Sequence, residues 1–412
     1  MTPFLQLILT LIIIIAGAKA GGWLANRLRQ PAVLGELLIG LLLGPSLLDV
    51  MGWPILANPT DPRLLSETVF ELADLGVVCL VFLAGLEIDA HEMRRTGRVS
   101  TFVGVSGVLM TLALGGLAAL AFGYRGQATI FIGMILAATS VSISAQTLLE
   151  LGLLRSREGL TLLGAAVIDD VLVILLLATF TALADHSGSG AVVTALLKMV
   201  AYLSLAALAG FFLLPRLAEW IHRQPISEGL AALVLVVVLT FAWSAEVVGG
   251  LAAITGAFIA GVGFGRSHLR DEIERGMHTI TYTLLVPIFF VSIGLRANVH
   301  VLSGPDVLFA LVLLLVAVLS KVVGCGLGAR LGEFTNREAL RVGVGMICRG
   351  EVQLIVASLG VGMGLIKAEL FAAITLIVLV TTLVTPPLLR LTFSTRADAP
   401  LAAAKNKEAS RA

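Results

Sequence analysis

Gly164-Ala-Ala-Val-Ile-Asp-Asp-Val-Leu-Val-Ile174 sets two adjacent carboxylates, Asp169 and Asp170, in the middle of an apolar run that extends from residue 158 to residue 184. A run of that length predicts a membrane-spanning helix, which needs about 20 mostly apolar residues. The rest of the 412-residue chain agrees. Apolar residues make up 58% and charged residues 13%, where a soluble domain carries about 25% charged. Mean hydropathy is +1.01. No soluble fold has enough interior to hide that much apolar surface, so the solvent is lipid. Lys and Arg number 28 against 27 Asp and Glu, a net charge of +1. That balance supplies no basic field for nucleic acid. Cys79, Cys325 and Cys348 lie in apolar runs without CxxC spacing. They read as buried thiols acting as small hydrophobes, not as metal or redox centres.

Working outward from the Asp-Asp span, thirteen apolar segments emerge, with cores near residues 4–18, 32–48, 68–88, 101–123, 127–149, 158–184, 191–215, 227–246, 249–265, 279–295, 306–330, 338–362 and 369–390. Ala16-Gly-Ala18 resembles a cleavage site, but no basic residue precedes it, so the first segment reads as a genuine helix. The second is the shortest and is interrupted by Gly35, Gly40 and Gly44. Gly40-Leu-Leu-Leu-Gly44 has the spacing of a close helix contact, including one across a dimer. Pro287 is expected to kink the tenth span. Gly261-Val-Gly263-Phe-Gly265 and Gly360-Val-Gly362-Met-Gly364 follow no strand and are not nucleotide loops. The polar, Ala- and Lys-rich tail, residues 391–412, is expected to be disordered.

Lys and Arg set the orientation. Seven of the 28 depart from one pattern: Arg63, Arg125, Arg296 and Lys367 lie in one set of alternate connections, and Lys198, Lys321 and Arg349 lie inside spans. All the others fall in the opposite set of connections or in the tail. The positive-inside rule puts that richer set in the cytoplasm. The N-terminus then faces out and the C-terminus in, as an odd helix count requires.

Four spans place polar groups at one depth. Asp169 and Asp170 are central in the sixth, Lys321 in the eleventh, Arg349-Gly-Glu351-Val-Gln353 in the twelfth, and Thr139-Ser140-Val141-Ser142-Ile-Ser144 in the fifth. A charge at mid-bilayer costs at least about 2.5–3.5 kcal/mol. Such groups persist where they face protein, water or a transported ion. Successive helical residues point about 100° apart, so one aspartate can face a neighbouring helix while the next faces a cavity. Two carboxylates this close do not both ionise freely unless a cation compensates. A lysine pairing with one leaves the other to bind a proton or a metal cation, and competition for that carboxylate is the physical basis of exchange. A static ion pair accounts for one aspartate with Lys321 but not for the second. For Arg349 and Glu351 a purely structural role and a functional one stay open. The hydroxyls of Thr139 and Ser140 either bond back to their own helix or line an unwound crossing that coordinates a desolvated cation. Glu36, Glu71, Asp74, Glu87 and Asp89 lie at helix ends or in the short second span, as an acidic funnel or as solvated ends. The six histidines read as surface groups.

Spans four to six and eleven to thirteen run in opposite directions, each set broken at its middle helix. That is the inverted-repeat arrangement of secondary transporters, inferred from topology without evident residue-level similarity between the halves.

Ile168-Asp169-Asp170, Thr139-Ser140-Val141, Leu83-Ala-Gly-Leu-Glu-Ile88, Pro287-Ile-Phe-Phe-Val-Ser-Ile-Gly294 and Arg349-Gly-Glu351 together resemble the bacterial cation/proton antiporters of the NapA and Kef type, and more distantly NhaA. The resemblance covers essentially the whole membrane part. It implies an all-α polytopic fold of about 13 transmembrane helices, with inverted repeats, two broken crossing helices, and a core plus a dimerisation domain. Helices 1–3 (residues 1–88) and 8–10 (227–295) would form the dimerisation domain, helices 4–6 (101–184) and 11–13 (306–390) the core, and helix 7 (191–215) the connector. It implies a homodimer with elevator-like movement of the core. Asp170 matches the main ion- and proton-binding aspartate, Asp169 the aspartate that pairs with lysine, Lys321 that lysine, and Thr139 and Ser140 the polar crossing. The Asp-Asp form resembles electrogenic sodium/proton exchangers. That form, and an ending soon after the last helix where Kef systems carry a regulatory domain, favours sodium over potassium.

The expectation is therefore a transporter, not an enzyme, of a bacterial inner membrane. It exchanges Na⁺ or Li⁺ for H⁺, with Na⁺ as the metal ion at Asp170 and no cofactor beyond the transported ions. A K⁺/H⁺ antiporter of the same architecture is the alternative. An intramembrane aspartyl protease fits poorly, because its two aspartates should come from different helices. A gated channel is the remaining rival.

Overall fold

In lipid a long apolar segment has one self-sufficient conformation, the helix, because only there are all its backbone N–H and C=O groups paired within the segment. The computed structural model of the chain describes residues 2–28, 30–56, 63–86, 90–140, 142–184, 189–224, 228–296 and 304–393. Its α-helices are α1 (Pro3–Arg27), α2 (Ala32–Leu43), α3 (Leu64–Leu86), α4 (Ala90–Ala121), α5 (Gln127–Ala137), α6 (Ser142–Glu150), α7 (Arg157–Ala184), α8 (Ser189–His222), α9 (Gly229–Ser244), α10 (Ala253–Phe264), α11 (Arg270–Ile280), α12 (Val286–Leu295), α13 (Gly304–Leu331), α14 (Asn336–Gly345), α15 (Glu351–Gly362) and α16 (Ala368–Phe393). Among the described residues, ten helical segments are long and apolar enough to cross a membrane, and three shorter apolar helices join them. Together these fall on the thirteen apolar segments read from the sequence. Glu87, Asp89, His186, His300 and the tail from residue 394 onward lie outside the described residues.

α13 shows how the chain divides itself between lipid and protein. Leu308, Leu311, Leu315, Leu319, Val323 and Leu327 recur every three or four residues and are exposed. The row Leu313, Ala317, Lys321, Cys325 and Ala329 is fully buried. Apolar side chains outside and a charge inside invert the pattern of a soluble amphipathic helix. All three cysteines are buried and free.

α2 has 12 residues and so spans about 18 Å, less than the hydrocarbon thickness of about 30 Å. Its glycines let it sit deep in the fold. Gly35 abuts the Gly21 backbone of α1, Gly40 abuts the Val291 carbonyl of α12, and Gly44 abuts Gly294. The Gly40/Gly44 spacing is thus used inside the chain, against α12, where the sequence left a dimer contact open. α4 begins at Ala90, eleven residues before its apolar core, because Glu92, Met93, Arg94 and Arg95 favour helix. In the tenth span the α-helix widens to a π-helical turn, Thr281–Leu285, directly before Pro287. Proline cannot donate to a carbonyl one turn back, which accounts for a widened turn at this place.

α4 packs along α13, α7 and α5, and α13 in turn meets α14 and α16. α2 and α3 pack on α12, and α10 packs on α3, α8 and α9. α3, α2 and α16 also touch α6, so the crossing described next is enclosed on several sides.

Candidate functional site

Two helical spans break and resume. α5 ends at Ala137 and α6 starts at Ser142; α14 ends at Gly345 and α15 starts at Glu351. In the first break Thr139 and Ser140 compete with the helical ladder through their hydroxyls; Val141 lies outside the described residues. The second break ends on Gly350. The two breaks cross: the Ser140 N–H donates to the Cys348 carbonyl at 3.0 Å. The Ser144 hydroxyl donates to the Gly345 carbonyl at 2.6 Å, and the Thr382 hydroxyl of α16 donates to the Arg349 carbonyl at 2.9 Å. Ser140 and Ser142 share a hydroxyl hydrogen bond of 2.9 Å. A side chain at position 350 would run into the Cβ and Oγ of Ser140, so the crossing requires glycine there.

Arg349 is fully buried and spends its guanidinium on backbone carbonyls. Nη1 donates to Ala138 at 2.8 Å and to Ala137 at 3.4 Å, and lies 3.5 Å from the Thr139 hydroxyl. Nη2 donates to the Ala317 carbonyl of α13 at 3.0 Å. A helix C-terminus leaves carbonyls without partners and carries partial negative charge; Arg349 supplies both donors and positive charge to the end of α5. The side chain of Glu351 lies outside the described residues.

On α13, one turn beyond Ala317, Lys321 donates to Asp169 Oδ1 at 2.7 Å, with both side chains out of contact with solvent. Gly107 of α4 makes room for Cys325 beside this pair: a Cβ there would run into the Cys325 sulfur, while Lys321 Nζ would lie at an ordinary contact distance of 3.7 Å. Asp169 Oδ2 has no hydrogen-bond partner among the described residues, nor has either end of the fully buried Gln353 carboxamide. Asp170 is the next residue on α7, buried at 7% exposure against 0% for Asp169. Thr139 and Ser140 are buried at the crossing. The structure thus joins Asp169 to Lys321 and ties Thr139 and Ser140 to Arg349 and Cys348. Both groupings are anchored on the same turn of α13.

Thr382, Gly107 and the Ala317 carbonyl escaped the sequence reading. Thr381-Thr382 in the middle of an apolar span was the available signal for the first; backbone groups and a lone glycine give none.

The secondary carboxylates are dispersed. Asp74 pairs with Arg296 at 3.6 Å, and Arg296 lies over the Phe70 ring. Glu36 pairs with Lys19 at 3.6 Å. His222 and His268 are exposed, facing Glu272 and Glu219. Two cavities lie at opposite ends of α2. One, of about 580 Å³, is bordered by Gly44, Arg296, Leu354 and Thr375; a separate small pocket, which shares Arg296, Leu354 and Thr375, is lined by Gly350. The other, of about 640 Å³, is bordered by Lys19, Ala32, Glu36 and Glu150.

A family model for the transmembrane sodium/hydrogen exchanger matches residues 10–394. The chain is 37% identical over 384 residues to the Na(+)/H(+)-K(+) antiporter GerN of Bacillus cereus, covering 93% of this chain and 95% of that one. It is 34% identical over 382 residues to a Na(+)/H(+) antiporter of Enterococcus hirae, covering 92% and 96%. Its fold is similar to the solved structure of the sodium proton antiporter MjNhaP1 of Methanocaldococcus jannaschii, with a TM-score of 0.68 at 17% identity over 95% of this chain and 98% of that one.

Proposed function

The chain belongs to the sodium/hydrogen exchanger family, and from that premise we propose that it exchanges Na⁺ or Li⁺ for H⁺ by alternating access, with cation and proton competing for Asp170. It is a multi-pass membrane protein of a transporter family, and we assign it to a bacterial inner membrane with the N-terminus outside and the C-terminus in the cytoplasm. The observation that carries the reading is the Asp169–Lys321 pair, buried and 2.7 Å apart. One ammonium neutralises one carboxylate. The neighbouring Asp170, about 1.5 Å further along the α7 axis and rotated by about 100°, is the carboxylate left to exchange its partner.

The chemistry follows from the medium. A bare carboxylate is costly at this depth, so Asp170 is neutralised either by a proton or by an alkali ion. Hard cations take oxygen ligands, and the broken α5/α6 span offers the hydroxyls of Thr139 and Ser140 for them. Loading one ion expels the other. The helices of residues 101–184 and 306–390 serve in this reading as the moving core. Those of residues 1–88 and 227–295 serve as the dimerisation domain, residues 191–215 connect the two, and the protein works as a homodimer in lipid. No cofactor takes part; the ions are cargo.

Potassium is the second reading, favoured by the Bacillus cereus relative, which is a Na⁺/H⁺-K⁺ antiporter. Fluorescence dequenching in proteoliposomes with Na⁺, Li⁺ and K⁺ salts separates the two. In the same assay Asp170→Asn is expected to abolish exchange and Asp169→Asn to leave part of it. Normal exchange by Asp170→Asn would sink the assignment.

A further inference from the structure

We infer that the carboxamide of Gln353 is a ligand of the transported alkali cation, one that the competing proton does not use. The inference rests on the exchange reading above and adds to it a residue that sets which cation is held. Gln353 is fully buried, and neither its Oε1 nor its Nε2 has a hydrogen-bond partner among the described residues. Buried polar groups are normally paired, and one left unpaired costs stability. Gln353 is the third residue of α15, where a glutamine ordinarily reaches back to the N–H of the capping residue. It makes no such bond to Gly350.

The packing sets this amide at the height of the ion site. Gln353, Ala357 and Gly360 share one face of α15, while Leu354, Ile355 and Ser358 border the cavity of about 580 Å³. Gly350 meets the Ser140 side chain and Gly360 meets the Phe131 ring, so α15 runs antiparallel to α5, with Gln353 level with Ala137. The Phe131 ring packs in turn on Phe180 of α7, with centroids 5.1 Å apart, and Ala137, Val173 and Ala357 lie in the same buried cluster as these two rings. From the level of that ring contact, Gln353 and Val173 each lie about 10 Å toward the break. Asp170 is about 4.5 Å further along α7, a height that a glutamine side chain can bridge. α5, the helix that breaks, touches both α7 and α15.

Alkali cations take oxygen ligands, and a carboxamide supplies one without adding a charge. A carboxylate serves proton and cation alike. An amide oxygen is far too weakly basic to hold a proton, so it acts on the cation alone. Asp170 carries the competition, and Gln353 tunes how tightly each ion is held.

The test is calorimetric titration of the purified full-length protein with NaCl, LiCl and KCl over a pH series. Gln353→Met keeps the volume and removes the oxygen. Its Kd for the ion that wild type binds most tightly is expected to rise severalfold at alkaline pH, and the ratios among the three ions to change. The pH at which Kd begins to rise should stay where it is, because the proton does not use the amide. The thermal unfolding temperature should equal or exceed that of wild type, since an unpaired buried amide is gone. Gln353→Glu, which keeps an oxygen at this place, is expected to retain cation binding at alkaline pH. Wild-type Kd values in Gln353→Met overturn the inference, and so does a rise by the same factor for all three ions. A Gln353→Met protein that fails to fold shows the amide to be structural and overturns it as well. Failure of the Asp170 reading shows separately, as wild-type cation binding by Asp170→Asn.

Discussion

Lys321 donates to Asp169 at 2.7 Å one helical turn from Ala317, whose carbonyl accepts from Arg349 at 3.0 Å. One turn of α13 therefore holds both buried cations of the centre. Arg349 is committed to backbone carbonyls and Lys321 to a carboxylate. The two cations do different work: one replaces the missing hydrogen bonds of a broken helix, the other sets the charge state of the Asp-Asp pair.

Removing the Lys321 ammonium leaves Asp169 buried and unpaired. Breaking a buried pair by deleting one partner costs about 3–5 kcal/mol. Lys321→Ala is therefore expected to lower the thermal unfolding temperature in detergent clearly. Asp169→Asn/Lys321→Gln, neutral on both sides, should recover most of the loss. An unfolding temperature for Lys321→Ala equal to wild type would show that Asp169 has another counter-charge.

Much of this arrangement was legible in the chain because charge at mid-span is conspicuous. Asp169, Lys321 and Arg349 stand out of their apolar runs, and the alternation of Lys and Arg between connections orders the spans. Thr139-Ser140 marks the first break through its hydroxyls, and Gly350 marks the second. The partners were less legible. Arg349 acts on Ala137, Ala138 and Ala317, whose carbonyls are the same at every position of any sequence. The Gly40/Gly44 spacing announces a close contact without saying with which helix. The Tyr282–Gln146 bond joins residues 136 apart in the chain, and only the packing of the tenth span beside α6 brings them together.

Competition at one carboxylate fixes the sign of the pH effect. On the acid side of that carboxyl's titration the proton occupies the site, so KM for Na⁺ should rise about tenfold for each unit of falling pH by mass action. On the alkaline side KM should level off. Solid-supported-membrane currents measured over a pH series at symmetrical pH test this directly. Sodium affinity that is the same in acid and alkali would remove competition from the mechanism.

Gly350 and Ser140 meet where the two broken helices cross. Gly350→Ala drives a methyl group into the Ser140 side chain, and overpacking of this kind costs typically about 1–3 kcal/mol. The variant is expected to unfold at lower temperature and exchange more slowly. Ser140→Gly removes the obstructing atoms, so Gly350→Ala/Ser140→Gly should regain stability relative to Gly350→Ala alone. Absence of any rescue would mean that the backbone of position 350, not its contact with Ser140, sets the requirement.

The guanidinium of Arg349 reaches three carbonyls on two helices because its donors form a rigid planar fork. An ammonium is a single point and cannot serve Ala138 and Ala317 together. Each buried carbonyl left without a donor costs about 1–3 kcal/mol. Arg349→Lys is expected to lose stability and Arg349→Met to lose more, with slower exchange in both. The pH at which KM for Na⁺ begins to rise should move little, because that pH belongs to Asp170 and its neighbours. A large displacement of the pH profile by Arg349→Lys, at wild-type thermal stability, would instead place Arg349 among the groups that set the charge of the ion site.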